Sequence, residues 1–125
     1  MRDHTKLKAF QLADELALLV YRATGGFPRE EQFGLVAQMR RAGISVASNI
    51  VEGCARHTEA DYLRFLDVAF GSLRELEYQA VLAQKLGYVR KNVAEPLLAQ
   101  CTATSKVLAA LIRSLRPGRR MVEMP

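Results

Sequence analysis

The sequence predicts an all-α protein, an antiparallel up-down-up-down bundle of four helices that assembles into a homo-oligomer. Apolar residues recur at helical spacing in four long segments, the connections between these segments are short, and no segment alternates apolar and polar residues as a strand would. A chain of 125 residues is long enough to form one domain with its own core. We assign residues 1–116 to the bundle and residues 117–125 to a flexible basic tail.

The first helix is expected to run from about Thr5 to Thr24 and to end at the glycine pair Gly25-Gly26. Charged residues occupy one side of this segment, and apolar residues occupy the other, as in an amphipathic helix. The apolar arc consists of Ala9, Leu12, Ala13, Leu16, Leu19, Val20 and Ala23.

The second helix is predicted from Pro28 to about Cys54, because proline is tolerated in a first helical turn and the following acidic residues suit the positive end of the helix dipole. Apolar or small residues, including Phe33 and Ile44, cover more than half of its circumference, which is more than three neighbouring helices would cover. This surplus predicts self-association, because large exposed apolar patches are rare on soluble monomers. Close approach of another helix is favoured by the small residues Ala37, Ala42, Gly43, Ala47 and Ser48.

The third helix is predicted from Glu59 to about Leu86. Thr58 is a candidate N-cap residue, with Asp61 three residues later in an acidic variant of the capping box. Gly87 is a natural residue to follow the helix.

The fourth helix is predicted to begin with a capping box from Asn92 to Glu95, with Pro96 in its first turn, and to stop at Pro117-Gly118. Its single apolar face is narrower than those of the first two helices.

The net charge of +5 is concentrated near the C-terminus, where residues 89–125 contain seven basic and two acidic residues. Cations near a helix C-terminus favour the helix dipole and keep a surface soluble. The same cations could form a nucleic-acid footprint, repeated by any oligomer symmetry. The candidate nucleic-acid contacts are Arg113, Arg116, Arg119 and Arg120.

A polar column follows one side of the second helix, at spacings of three and four residues that place side chains above one another. Carboxylates of the third helix could face it. Such a network can set helix or subunit register, or it can contact nucleic acid or protein. The column consists of Arg41, Ser45, Asn49 and Glu52, whereas the helical angle of Arg40 places it within the apolar arc. The candidate network consists of Arg40, Arg41, Ser45, Asn49, Glu52, Glu75 and Glu77.

Catalytic and metal sites are not expected. The two histidines, His4 and His57, lie at helix edges, and neither follows a glutamate at the spacing of a di-iron bundle. Cys54 and Cys101 have no second ligand at a metal-binding spacing, and no glycine-rich phosphate loop is present. We therefore predict no cofactor and no enzymatic activity. The N-terminus lacks an apolar signal segment and no run is long enough to span a membrane, so a cytoplasmic location without membrane contact is expected.

The run FPREEQFGLVAQMRRAGISVASNIVEGCAR, followed by FLDVAFGSLRELEYQAVLAQKLGY, resembles the four-helix-bundle family associated with intervening sequences of 23S ribosomal RNA genes. The resemblance extends from about Phe10 to Leu115, and Val51 stands where the family more often has alanine. The most specific matches are Phe27-Pro28, Glu31, Gly34-Leu35, Gln38, Arg40-Arg41, Ser45, residues 49–53, residues 71–73, Glu75 and Leu76.

This resemblance implies a homo-oligomer in the form of a pentameric ring of bundles. The chain is also similar to the accessory proteins of diversity-generating retroelements, which work with a reverse transcriptase and bind nucleic acid. The expected partners are therefore other copies of the chain, RNA or DNA, and a reverse transcriptase or another protein. The leading hypothesis is a non-enzymatic oligomer that binds nucleic acid through basic surfaces. The alternative is a protein scaffold or assembly factor without nucleic-acid contact.

Overall fold

The computed structural model describes residues 2–116, which contain four α-helices and no strand and so confirm the all-α fold. The helices are α1 (Lys8–Thr24), α2 (Leu35–Cys54), α3 (Glu59–Lys85) and α4 (Lys91–Ser114). Short 3-10 helices, His4–Lys6 and Arg29–Glu31, precede α1 and α2. No helix among these residues has the length and apolar character of a membrane span. The predicted tail, residues 117–125, lies outside the described residues.

The four helices enclose one core, to which each contributes its predicted apolar face. Helix α2 packs most extensively against α3, while α1 and α4 pack against each other and against one neighbour each. A fully buried leucine or isoleucine contributes about 1.5–3 kcal/mol relative to an exposed one. The largest fully buried side chains include Leu16, Met39, Ile50, Tyr62, Leu66, Leu73, Leu76, Leu97 and Leu108.

Helix α2 begins at Leu35, so the prediction of one helix from Pro28 is wrong. The carboxylate of Glu31 accepts a hydrogen bond from the Leu35 N–H at 3.0 Å, and its other oxygen accepts one from the Tyr88 hydroxyl at 2.9 Å. These bonds favour the charged carboxylate and lower the pKa of Glu31. A Cβ atom at Gly34 would lie only 2.7 Å from Oε1 of Glu31. The break exposes Phe33, which is 90% exposed rather than in the predicted apolar arc.

The start of α4 also differs from the prediction. The helix begins at Lys91, and its N-cap residue Arg90 makes no capping hydrogen bond through its side chain. Asn92 is therefore inside the helix, and Glu95 pairs with Lys91 at 3.7 Å instead of completing a capping box. Pro96 is the sixth helical residue, beyond the first turn. Packing against α1 and α3 outweighs the loss of its backbone hydrogen bond.

The other two helices follow the prediction closely. Thr58 caps α3 by accepting a hydrogen bond from the Asp61 N–H at 3.1 Å, and the helix ends one residue earlier than expected. Helix α1 begins at Lys8 because the preceding 3-10 turn is capped by Asp3 and Leu7 is extended.

Gly53 allows α2 and α3 to meet closely near their connection. A Cβ atom there would lie 3.0 Å from the Cβ of Phe65, 3.2 Å from Cδ1 of Tyr62 and 3.3 Å from its carbonyl oxygen. A side chain can move away from such a contact more readily than a backbone atom can. Gly71, in the interior of α3, is different because no atom lies within 4 Å of the corresponding position.

We expect Gly53→Ala to lower the free energy of unfolding by about 1–3 kcal/mol, because the added methyl group overpacks the contact between the two helices. The matched substitution Gly71→Ala should raise it by about 0.5–1 kcal/mol, because alanine favours the helix and meets no steric conflict. Equilibrium unfolding in urea measures both changes. A gain in stability from Gly53→Ala would contradict the close approach.

Candidate functional site

The predicted polar column lies at the outer edge of the contact between α2 and α3. Arg41 forms an ion pair with Glu75 through Nη2, and its Nε donates to the Gln38 side chain at 3.0 Å. Gln79 of α3 donates to the same Glu75 oxygen at 3.2 Å. The Arg41 and Glu75 side chains are 50% and 41% exposed. Because solvent screens such a pair, it adds less than about 1 kcal/mol to stability.

The central part of the column links the two helices through neutral hydrogen bonds. Ser45 and Ser72 lie 2.8 Å apart, oxygen to oxygen. The Asn49 amide donates to both the carbonyl oxygen and the hydroxyl of Ser45, at 2.8 and 3.0 Å. Ser72 is buried, so its hydroxyl needs this partner. Ser72 and Gln79 were not predicted from the sequence, although Ser72 lies three residues before Glu75 and therefore on the same side of α3.

Glu52 extends the column but contacts no α3 side chain by hydrogen bond within the described residues. Its carboxylate pairs with Arg56 at 3.0 Å. The Arg56 guanidinium in turn lies over the Phe65 ring, 4.6 Å from its centre, and so connects the end of α2 to α3.

Arg40 and Glu77 do not belong to the column. Arg40 points to α1, where its Nε donates to the Thr24 hydroxyl at 2.9 Å and its guanidinium stacks over Tyr21 at 4.4 Å. Glu77 pairs with Arg74 of its own helix at 3.3 Å. The structure therefore brings Arg41, Ser45, Asn49 and Glu75 together, with Glu52 further along.

The cationic residues near the C-terminus differ in their surroundings. Arg113 is exposed in the last turn of α4, whereas Arg116 forms an ion pair with Asp67 of α3. Arg119 and Arg120 lie outside the described residues. Lys106, two turns before Arg113, is also exposed. Arg116 therefore has part of its charge compensated by α3.

The buried thiols are poorly suited to nucleophilic chemistry. Burial, assisted by the nearby charge of Glu77, raises the pKa of Cys101 to about 12. Burial also raises the pKa of Cys54, although a hydrogen bond with Tyr62 opposes the shift. Both thiols therefore stay protonated near neutral pH. Residues 2–116 contain no group of three or more His, Cys, Asp or Glu side chains that could hold a metal ion.

Large apolar side chains are exposed on α1 and α2 and, separately, on α3. The first group, which we call the α1–α2 face, contains Leu18, Tyr21 and Ile44, each between 44% and 48% exposed. A shallow groove of about 410 Å³ lies beside it on α2, lined by Ala47, Ser48, Val51, Glu52 and Ala55. The second, the α3 face, contains Val68 and Tyr78, which are 47% and 64% exposed.

Only some of the small residues of α2 are available to another helix. Ala37 and Ser48 are exposed, and Ala47 is half-buried. Ala42 and Gly43 are instead buried within the chain, and a Cβ atom at Gly43 would lie 3.3 Å from the Val20 side chain of α1. The expectation that Ala42 and Gly43 contact another copy is therefore wrong, because both are buried within the chain, Gly43 against Val20 of α1.

Comparison with known proteins identifies both a family and a similar fold. The sequence model of the family described as 23S rRNA-intervening sequence protein matches residues 5–110. The structure is similar to the crystal structure of a protein of unknown function from the S23 ribosomal protein family of Bacteroides thetaiotaomicron. The TM-score is 0.77 at 24% identity, and the alignment covers 84% of this chain and 95% of the other. No curated protein sequence matches the chain.

Ser45 is the hub of the hydrogen bonds between α2 and α3, so we expect non-additive effects of substitution. Ser72→Ala should cost about 1 kcal/mol, and Ser45→Ala should cost more, because it removes a partner from both Ser72 and Asn49. The double variant should cost less than the sum, because Ser72 has already lost its partner in Ser45→Ala. Equilibrium unfolding in urea of the two single variants and the double variant measures these changes, and Ser48→Ala serves as the control at an exposed position. Changes in the free energy of unfolding that simply add would refute the shared network.

Proposed function

This chain belongs to the 23S rRNA-intervening sequence protein family, and we propose that it is a non-enzymatic, homo-oligomeric bundle that binds RNA or DNA through basic surfaces. The observation that carries the proposal is the charge of α4. From Pro96 to Arg116 the chain contains three cationic residues and no carboxylate, and Lys106 and Arg113 are exposed. An oligomer repeats this cationic surface and so raises the attraction for a polyanion.

An antiparallel up-down-up-down arrangement is the topology that supports this proposal. The Arg2 N–H donates to the Cys54 carbonyl at 3.0 Å, so the segment before α1 lies near the end of α2. Arg40, near the start of α2, reaches Thr24 at the end of α1. These contacts support antiparallel packing of α1 and α2, and the short connections favour the same relation for the later helices.

The proposed assembly is a ring of identical copies, a pentamer by resemblance to the family. A ring forms when two different surfaces of each copy meet, whereas a two-fold dimer needs only one surface that matches itself. The α1–α2 face and the α3 face supply two such surfaces. We propose that the α1–α2 face of one copy packs against the α3 face of the next, which covers the apolar side chains of both.

Enzymatic activity is not part of the proposal. The carboxylates of the polar column are engaged with arginines, and the described thiols are buried with raised pKa values. A general base or nucleophile would need an accessible group with a pKa near neutrality. The column is instead suited to fixing the relative position of α2 and α3.

A protein scaffold without nucleic-acid contact is the second candidate. The observation in its favour is Phe33, an aromatic side chain that is 90% exposed at the break before α2. Exposed aromatic residues are common anchors of protein interfaces. A reverse transcriptase or another protein would be the partner in this case.

The ring proposal predicts a specific result from mixing two variants. Ile44→Glu and Tyr78→Glu should each abolish the large assembly, because each places a charge within one of the two apolar faces. An equimolar mixture should form a heterodimer, since the intact α3 face of the Ile44→Glu chain can still meet the intact α1–α2 face of the Tyr78→Glu chain. Native mass spectrometry distinguishes these species.

The exposed substitution Thr102→Glu on α4 is the control and should leave the assembly unchanged. A wild-type protein that remains a single chain at high concentration would overturn the oligomer. A large assembly that survives both face substitutions would instead overturn the choice of faces.

The nucleic-acid proposal predicts that Lys106→Gln with Arg113→Gln weakens binding to single-stranded RNA and to duplex DNA. The slope of log Kd against the logarithm of the salt concentration should fall by about 0.7–0.9 for each phosphate-contacting cation that the substitutions remove. Fluorescence anisotropy at several salt concentrations measures this slope. Arg22→Gln with Lys85→Gln removes the same charge from exposed positions of other helices and should change the slope less. No binding by the wild type, or an unchanged slope in the α4 variant, would favour the scaffold.

A further inference from the structure

A cleft of about 320 Å³ lies between the end of α1 and the start of α2. Two arginines, Arg29 and Arg40, line it together with the polar residues Thr24 and Gln32. The apolar residues of the Phe27-Pro28 turn form part of its wall. Its volume falls at the lower end of the range for small-molecule sites.

Arg40 is held in place before any ligand arrives. Its Nε donates to the Thr24 hydroxyl at 2.9 Å, and its Nη2 lies 3.4 Å from the Tyr21 carbonyl oxygen. The guanidinium also stacks on the Tyr21 ring, with 4.4 Å from Cζ to the ring centre. These contacts occupy some of the N–H donors of the guanidinium. Their partners are neutral, so none of them balances its positive charge. A ligand therefore binds without the full entropic cost of ordering a long side chain.

The charge of the cleft is positive. None of its lining residues is acidic, and within residues 2–116 neither Arg29 nor Arg40 forms an ion pair with a carboxylate. Glu31, which is close in sequence, directs its carboxylate to the Leu35 N–H and the Tyr88 hydroxyl. Two guanidinium groups beside one cleft without a carboxylate form an environment that favours an anion.

We propose that this cleft binds a phosphate group. The planar guanidinium matches the geometry of phosphate oxygens, and charge-assisted hydrogen bonds to such oxygens are stronger than neutral ones. In this site, Arg40 donates hydrogen bonds from a fixed position. The exposed Arg29 side chain moves to donate to the same anion, and the Gln32 amide adds an uncharged donor. The ligand is either the phosphomonoester of a nucleotide or a phosphodiester within a nucleic acid, because both present the same oxyanion. The site does not depend on Lys106 or Arg113 of α4.

The test follows backbone amide signals of the ¹⁵N-labelled full chain by NMR during separate titrations. The three probes are inorganic phosphate, adenosine 5′-monophosphate and a short oligoribonucleotide with a 5′-hydroxyl end. Saturable shifts are expected at Gly25, Gly26 and Gln32. Saturation by the first two probes alone assigns the site to phosphomonoesters, whereas the same shifts with the oligoribonucleotide assign it to the nucleic-acid backbone.

Arg29→Gln is the main variant because Arg29 is exposed and its side chain forms no ion pair within residues 2–116, so we expect the fold to remain intact. It should weaken phosphate binding about tenfold, the loss expected for one charge-assisted hydrogen bond. Arg40→Lys should also weaken binding, because lysine keeps the charge but loses the planar fork. Arg22→Gln, an exposed arginine outside the cleft, is the matched control and should change binding by about twofold or less, because salt screens surface charge.

No saturable shift with any of the three probes would overturn the proposal. So would equal affinities of the wild type and Arg29→Gln. Lys106→Gln with Arg113→Gln should leave phosphate binding in the cleft unchanged while it weakens nucleic-acid binding at α4, so the two proposals fail separately.

Discussion

The close contact between α2 and α3 is the constraint on which the rest of the structure depends. Gly53 brings the backbone of α2 within reach of Tyr62 and Phe65, and the Ser45–Ser72 hydrogen bond continues the contact along both helices. Helix α1 covers another side of α2, where Val20 packs against Gly43. With these two sides occupied, the outward side of α2 retains apolar and small residues that its own chain does not cover. The proposed self-association therefore rests on how α2 is packed.

The break before α2 connects the fold to the proposed phosphate cleft. A continuous helix from Pro28 would place residues 29–32 on the axis of α2 instead of in a separate 3-10 turn beside the end of α1. Glu31 maintains the break by capping Leu35, and Tyr88, in the connection between α3 and α4, donates the hydrogen bond that holds Glu31 in place. The same carboxylate is thereby kept away from Arg29 and Arg40. One side chain thus shapes the cleft and leaves its charge positive.

Sequence periodicity was sufficient to predict the number of helices and most of the core residues, because both depend on the spacing of apolar residues within each helix. The bounds of α3 could be predicted because Thr58 and Asp61 are close in sequence. The start of α2 could not be predicted, because the Glu31 carboxylate that caps Leu35 is itself held by the hydroxyl of Tyr88, 57 residues away. Helical angles separated Arg40 from the column of Arg41, but they could not identify α1 as its partner. Ser72 and Gln79 were missed because periodicity does not say which side of α3 faces α2.

In the proposed antiparallel arrangement, the cleft lies near the start of α4 and Arg113 lies near its end. Helix α4 has 24 residues, so at 1.5 Å per residue it is about 36 Å long. Nucleic acid advances about 3.4 Å per nucleotide along a duplex strand, so a single duplex must extend about ten base pairs to reach both the cleft and Arg113. A shorter ligand can neutralise only one of them. Length dependence therefore separates the two proposed surfaces: a mononucleotide or a short oligoribonucleotide can occupy the cleft alone, whereas only a duplex of about ten base pairs or more can contact the cleft and Arg113 of one subunit together.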